Sequence, residues 1–130
     1  MPEPQQLTEL QIALMRVLWT RGEATVAEIW EAIHAERGLA QTTVATILSR
    51  LARRGVVTHR TQARQFIYRA QVSEEAVQHS MVRELTEQLF DGDVTALVSH
   101  LLGARDIRPG DLARIRRMID GIDHKQERAS

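Results

Sequence analysis

Threonines and arginines share one side of a predicted helix, QTTVATILSRLARR, that spans residues 41–54. At about 100° per residue these side chains lie opposite an apolar stripe, and no acidic residue interrupts them. Short hydroxyls allow a large anionic surface to approach closely, and arginine offers planar, permanently charged donors to phosphate oxygens or guanine edges. The pattern predicts a helix that lies in the major groove of DNA. The candidate DNA contacts on this helix are Thr42, Thr43, Thr46, Ser49, Arg50, Arg53 and Arg54.

The residue types indicate different roles along this helix. Arg50 is the first candidate for a contact to a base or a phosphate. Thr43 and Thr46 suit a thymine methyl group or a base edge, with helix capping or plain solvation as the simpler alternatives. Thr42 is placed either to contact phosphate together with free backbone N–H groups or to serve only as the N-cap.

The charge balance changes along the chain although the formal net charge is zero. Residues 41–70 hold six arginines and no Asp or Glu, whereas residues 71–130 hold eleven acidic against eight basic residues. A basic block beside an acidic one suits a nucleic-acid contact surface attached to a lobe with another role, and the alternative is a solvated basic face. The candidate phosphate contacts are Arg53, Arg54, Arg60 and Arg64.

Several classes of protein are disfavoured by what the sequence lacks. There is no cysteine, which excludes disulfides, thiolate metal sites and a cysteine nucleophile and is compatible with a reducing cytoplasm. No apolar run approaches the roughly 18–20 residues of a membrane span. The chain carries no glycine-rich phosphate loop, G-x-S-x-G or H-E-x-x-H motif, and its five histidines are scattered. The sequence therefore predicts a cytoplasmic, non-enzymatic protein without a cofactor or a metal.

Helix-capping signals predict the elements that position the basic helix. Two helices precede the basic helix in the chain, and each begins at a capping box. The boxes are T-E-L-Q from residue 8 and T-V-A-E from residue 25. Residues 23–25 suit a very short strand between those helices. Gly55 in the left-handed conformation would end the basic helix, and Val56 would then pack on Leu51 as in a Schellman motif.

A basic hairpin is predicted directly after the third helix. Val56–Thr61 and Gln65–Tyr68 have strand-forming residues, and residues 62–64 form the turn between them. Three helices followed by such a hairpin give the order of a winged helix-turn-helix. The hairpin would carry Arg60 and Arg64 to the DNA backbone beside the major groove.

The fold class predicted for the whole chain is mainly α, with a minor α+β part. Residues 1–70 form a winged-helix DNA-binding domain, and residues 71–130 form a helical lobe with helix starts at Ser73, Asp93 and Pro109. So small a lobe buries too little apolar surface alone, so we expect it to pair with a second chain. The alternative is a monomer whose lobe folds back on the first domain. The predicted dimer interface consists of Val77, Met81, Leu85, Leu89, Val94, Leu97, Val98, Leu101, Leu112, Ile115 and Ile119.

Three motifs resemble the penicillinase-repressor family, the BlaI/MecI/CopY-type regulators. They are L-T-E-L-Q…V-L-W at residues 7–19, T-V-A-E-I at 25–29 and T-T-V-A-T-I-L-S-R-L-A-R-R-G at 42–55, followed by the hairpin. The match is close over residues 7–70 and extends to helix order and length beyond them. The resemblance implies a dimeric repressor that binds a palindromic operator with half-sites similar to TACA/TGTA. The family's contacts to DNA correspond to Thr42, Thr43, Thr46, Arg50 and the region 60–64.

The chain departs from that family at its inducer-response elements. Family members that respond to β-lactams are inactivated by cleavage of an Asn-Phe bond in the dimerisation lobe. This chain has His100-Leu101 at the corresponding position. Copper-responsive members carry a C-terminal cysteine cluster that is absent here. The resemblance therefore extends to the repressor architecture, and the regulating protease or ligand stays open. The competing class is a winged-helix protein-interaction module without DNA binding, which would not need six arginines in an acid-free run.

Overall fold

A computed structural model describes residues 6–103 and 108–129, which form six helices and a three-stranded sheet. The described residues make two compact units, one ending at Glu84 and the other beginning at Leu85. The elements in chain order are α1 (Glu9–Arg21), β1 (Ala24–Thr25), α2 (Val26–Arg37), α3 (Gln41–Arg53), β2 (Val57–Gln62), β3 (Gln65–Ala70), α4 (Glu74–Phe90), α5 (Val94–Gly103) and α6 (Pro109–Ala129). The predicted fold class, mainly helical with a small sheet, is confirmed.

Both predicted capping boxes are present at the starts of α1 and α2. The Thr8 hydroxyl accepts from the Gln11 N–H at 3.1 Å, and the Gln11 side chain accepts from the Thr8 N–H at 3.0 Å. Thr25 and Glu28 form the same reciprocal pair at 3.2 and 2.9 Å. Each box satisfies two backbone donors that the first helical turn leaves without an internal partner, so both helix starts are fixed by local sequence.

One hydrophobic core joins the first three helices to the sheet. Burying each large apolar side chain in such a core stabilises the fold by about 1.5–3 kcal/mol. Trp19 and Trp30 border this core, and their ring N–H groups donate to the carbonyl oxygens of Val72 and Leu39 at 2.9 and 2.7 Å. The buried apolar residues are Leu7, Leu14, Met15, Leu18, Ala24, Ile29, Ile33, Val44, Leu48, Leu51, Val56, Val57, Tyr68, Val72 and Val77.

The sheet is antiparallel with the strand order β1-β3-β2. The hairpin of β2 and β3 is paired from Val57↔Ala70 to Gln62↔Gln65, so two residues, Ala63 and Arg64, form its turn. Both have positive φ, 51° and 64°, as a type I′ turn requires. The predicted turn over residues 62–64 is thus shorter in the structure, because Gln62 pairs with Gln65 inside the ladder.

The first unit extends past the predicted domain boundary at residue 70. Val72 and Val77 are buried in its core, and Met81 packs against that core. Of the predicted dimer interface, Val77 is therefore buried within the chain itself, and Met81 is partly buried. The roles assigned to residues 1–70 and 71–130 stay predictions.

The second unit contains the end of α4 together with α5 and α6. The Asp93 side chain accepts from the Ala96 N–H at 3.2 Å and caps α5, as the sequence predicts. His100 and Leu101 lie within α5 and are exposed. Among the described residues of this unit, none of the large apolar side chains is buried. No described helix is both long and apolar enough to cross a membrane.

Candidate nucleic-acid interface

Helix α3 separates its apolar and polar side chains as the sequence predicts. Val44, Leu48 and Leu51 have no exposed surface, and they fix the helix against the core. The opposite side carries Thr42, Thr43, Thr46, Arg50 and Arg53, all exposed, and Ser49, which is half-buried. We call these six residues the hydroxyl–arginine face. It contains no acid, so it offers donors and positive charge to an anionic surface.

The start of α3 carries no side-chain cap. Ala40 is the N-cap residue and has no hydrogen-bonding side chain, and Thr42 is already the second helical residue. The alternative that Thr42 serves as the N-cap is therefore wrong. The first backbone N–H groups of an α-helix have no partner inside the helix, so this end can hold an anion next to the Thr42 hydroxyl. The Thr46 hydroxyl donates to the Thr42 carbonyl oxygen at 3.0 Å.

The end of α3 has the predicted Schellman motif. The Val56 N–H donates to the Leu51 carbonyl oxygen at 3.0 Å, and the Gly55 N–H donates to the Ala52 carbonyl oxygen at 3.1 Å. Gly55 has a φ of +79°, which glycine adopts without steric cost. Arg54, a candidate phosphate contact, donates one hydrogen bond to the Gln6 carbonyl oxygen at 2.9 Å.

Arg60 in the hairpin is engaged by a residue that sequence reasoning missed. Its Nε and Nη2 donate to the two carboxylate oxygens of Glu23 at 3.3 and 2.8 Å, and its Nη1 donates to the Gln62 side chain. The hydrogen bond from Arg60 lowers the pKa of Glu23 and raises that of the guanidinium. Glu23 lies outside the acid-free run of residues 41–70, so no local pattern predicts this pair.

The two faces of the hairpin differ in chemistry. Strand alternation puts Arg60 on the side away from the core, whereas Val57, His59 and Tyr68 share the other side. There the His59 ring stacks on Phe66 with ring centroids 4.0 Å apart. His59 therefore packs in the hairpin, and among the described residues no cluster of three or more His, Cys, Asp or Glu side chains could hold a metal ion.

Three arginines of the predicted site have neither an ion-pair partner nor a side-chain hydrogen bond among the described residues. They are Arg50 and Arg53 on α3 and Arg64 at the hairpin tip, and all three are exposed. Unpaired guanidinium groups keep their full charge available to phosphate oxygens. The described part of the molecule thus joins a helix N-terminus, a row of small hydroxyls and three free cations on α3 and the hairpin.

This fold and this site define a winged helix-turn-helix protein of the DNA-binding class. The chain belongs to the penicillinase repressor family, whose model matches residues 7–121. The predicted resemblance is thereby confirmed. The family is made of transcriptional repressors, so the chain is not an enzyme.

The relatives support this assignment at two levels of similarity. The methicillin resistance regulatory protein MecI of Mammaliicoccus sciuri is 18% identical over 115 residues, which cover 88% of this chain and 94% of that protein. The transcriptional regulator BlaI of Mycobacterium tuberculosis is 47% identical over 53 residues, 40% of this chain and 38% of that protein. The stronger identity is thus confined to a segment shorter than the first unit.

Two solved structures have the same winged-helix fold. One is the solution structure of the DNA-binding domain of the repressor BlaI, with 22% identity and a TM-score of 0.52. The other is the monomeric form of BlaI from Bacillus licheniformis in complex with the blaP half-operator, with 22% identity and a TM-score of 0.50. Each covers 58% of this chain and 93% of the solved chain. At this identity the likeness shows the fold.

Proposed function

We propose that this protein is a sequence-specific transcriptional repressor that binds a pseudo-palindromic operator as a homodimer in the cytoplasm. The observation that carries the proposal is the exposed, acid-free hydroxyl–arginine face of α3, held in place by its own buried leucines. An α-helix fits the major groove, where its outward side chains meet base edges. The relatives are repressors, and one of them is a BlaI solved with a half-operator.

The residues divide into contacts that position the protein and contacts that read sequence. Arg53 and Arg64 neutralise phosphates, which supplies affinity but no sequence information. Arg50 reaches a base edge or the adjacent phosphate, and Thr43 and Thr46 meet thymine methyl groups or base edges. The uncapped start of α3 with Thr42 binds a further phosphate. The remaining proposed contacts are Ser49, Arg54 and Arg60.

The second unit supports the homodimer. Its 46 residues, from 85 to 130, are too few for an independent core, and none of its described large apolar side chains is buried. A second copy would cover them with an identical apolar surface, as a two-fold interface requires. Such a dimer presents two α3 helices to half-sites about 34 Å apart. The proposed interface residues are Met81, Leu85, Leu89, Val94, Leu97, Val98, Leu101, Leu112, Ile115 and Ile119, without Val77, which is buried within the first unit.

A duplex-binding titration tests the proposal. Wild type, Arg50→Ala and the control Arg16→Ala are titrated against duplexes with TACA/TGTA half-sites, and circular dichroism checks that each is folded. Arg16 is an exposed arginine of α1, outside the proposed surface. We expect Arg50→Ala to weaken binding by about 5- to 100-fold and Arg16→Ala to bind like wild type. Equal binding by all three would contradict the assigned surface.

Salt dependence provides a second measurement on the wild type. If each chain of the dimer neutralises about four phosphates, log K falls with log salt concentration at a slope near −7. A slope close to zero would mean that phosphate contacts do not drive binding. No duplex binding at low salt would instead favour the protein-interaction module.

A further inference from the structure

A carboxylate and a guanidinium meet across the whole width of the sheet. Arg60 lies on the edge strand β2 and pairs with Ile67 of the central strand β3, which pairs in turn with Thr25 of β1. Glu23 directly precedes β1. The Arg60 side chain therefore spans β3 to reach a residue 37 positions away in the chain.

The contact leaves part of the guanidinium available. An arginine side chain has five N–H donors, and three of them are used here, two by Glu23 and one by Gln62. One N–H on each Nη atom remains, and half of the Arg60 side chain is exposed. Arg60 can therefore donate to a further acceptor from outside without leaving Glu23.

We propose that Glu23 is a positioning residue for operator binding, which holds Arg60 so that its two remaining N–H groups donate to one backbone phosphate. This inference rests on the proposed function. An exposed arginine samples many rotamers, and holding it in one of them before binding removes part of the entropy that binding would otherwise lose.

The charges around the pair allow a phosphate to approach. Arg60 and Arg69 both interact electrostatically with Glu23. The neighbouring acid Glu28 is paired with Arg21 at 3.8 Å, so three cations and two anions leave a positive balance. Because the pKa of Glu23 is lowered, its carboxylate stays ionised at neutral pH. The alternative is that Glu23 only neutralises the charge of Arg60. This alternative makes the opposite prediction, because removing the negative charge of Glu23 would then strengthen DNA binding.

The test compares operator affinity across a mutant cycle of the full chain. Glu23→Gln, Arg60→Ala and the double variant are measured by fluorescence anisotropy with one pseudo-palindromic duplex at several salt concentrations. Glu31→Gln is the matched control, because Glu31 is an exposed glutamate of α2. Thermal unfolding confirms that each variant is folded at the temperature of the titration.

If Glu23 positions Arg60, the variants should lose operator affinity in a specific pattern. Glu23→Gln weakens binding by about 3- to 10-fold, Arg60→Ala weakens it at least as much, and the double variant binds no worse than Arg60→Ala alone. Arg60→Ala also reduces the steepness of the salt dependence by about 1.8, for one phosphate in each chain of the dimer. Glu31→Gln keeps wild-type affinity.

Three results overturn the inference. They are tighter or unchanged binding by Glu23→Gln, fully additive losses in the double variant, and an unchanged salt slope in Arg60→Ala. Arg50→Ala distinguishes these failures from failure of the proposed function. If Arg50→Ala loses affinity and Glu23→Gln does not, only the positioning role is wrong. If wild type does not bind the duplex, both proposals are wrong.

Discussion

The backbone N–H of Val56 donates to the carbonyl oxygen of Leu51 over 3.0 Å, and both side chains are fully buried. This bond closes the turn between α3 and β2 and sets where the hairpin leaves the helix. Gly55 lies between the two residues with a φ of +79°. The placement of the hairpin relative to α3 therefore depends on one residue in the left-handed conformation.

Replacing this glycine tests that dependence. A Cβ added at Gly55 meets nothing within 4 Å, so Gly55→Ala carries only the backbone cost of a positive φ, about 1–2 kcal/mol of unfolding free energy. Gly121→Ala in α6 is the control, because it adds the same methyl group in open space within a helix, where alanine is favoured. Urea unfolding measures both variants. Similar effects at the two positions would contradict the assigned conformation.

The hairpin turn predicts a stabilising substitution. Ala63 has a φ of 51°, a conformation that asparagine tolerates better than alanine. Ala63→Asn should raise the free energy of unfolding by about 0.5–1 kcal/mol and leave the charges of the hairpin unchanged. Ala35→Asn, at an exposed position within α2, should be destabilising because asparagine is a weak helix former. A lower melting temperature for Ala63→Asn than for wild type would rule out the type I′ turn.

The open apolar side chains of the second unit predict a change in oligomeric state. Leu89 is 71% exposed in the single chain, so Leu89→Glu removes little intrachain packing. A buried glutamate at a dimer interface would be unpaired and costly, so we expect this variant to sediment as a monomer at concentrations where wild type is a dimer. Thr95→Glu, at an exposed polar position of α5, serves as the control. A dimeric Leu89→Glu protein would place the interface elsewhere.

The ion pair between Glu9 and Arg37 predicts a pH dependence of stability. The hydrogen bond from Arg37 holds the pKa of Glu9 below its ordinary value of 4.5. A carboxyl with a lowered pKa in the folded state stabilises the fold above its unfolded pKa, and this contribution is lost as the pH falls through the folded pKa. The difference in unfolding free energy between wild type and Glu9→Gln should be constant from pH 6 to 8 and shrink below about 4.5. A difference that grows toward low pH would contradict this pairing.

Local signals predicted most of the elements, because their partners lie within a few residues. Thr25 and Glu28 satisfy one another three positions apart, and Gly55 is followed by an apolar residue that packs back on α3. Periodicity likewise predicted which face of α3 is buried. These features depend on a single helical turn and need no knowledge of the tertiary fold.

The features that the sequence does not predict depend on contacts between residues far apart in the chain, or on residue types that are uncommon in the turn or cap they form. Glu23 meets Arg60 only because β1 pairs with β3, which no window of the sequence reveals. The type I′ turn uses Ala63 and Arg64, although asparagine and glycine are the residues that indicate such turns. Ala40 is the N-cap of α3 and has no capping side chain, a start that local capping rules do not predict.

In the homodimer that we propose, the leucines and isoleucines that are exposed in the second unit make repression depend on the concentration of the protein. When chains are scarce, the paired population grows with the square of their concentration, so operator occupancy responds more steeply than linearly to synthesis. In such a system, unpaired chains would leave the helices of the second unit more accessible to proteases than paired chains do. When synthesis of the protein falls, the remaining chains would then be degraded faster. Transcription would therefore resume over a narrower range of protein concentration.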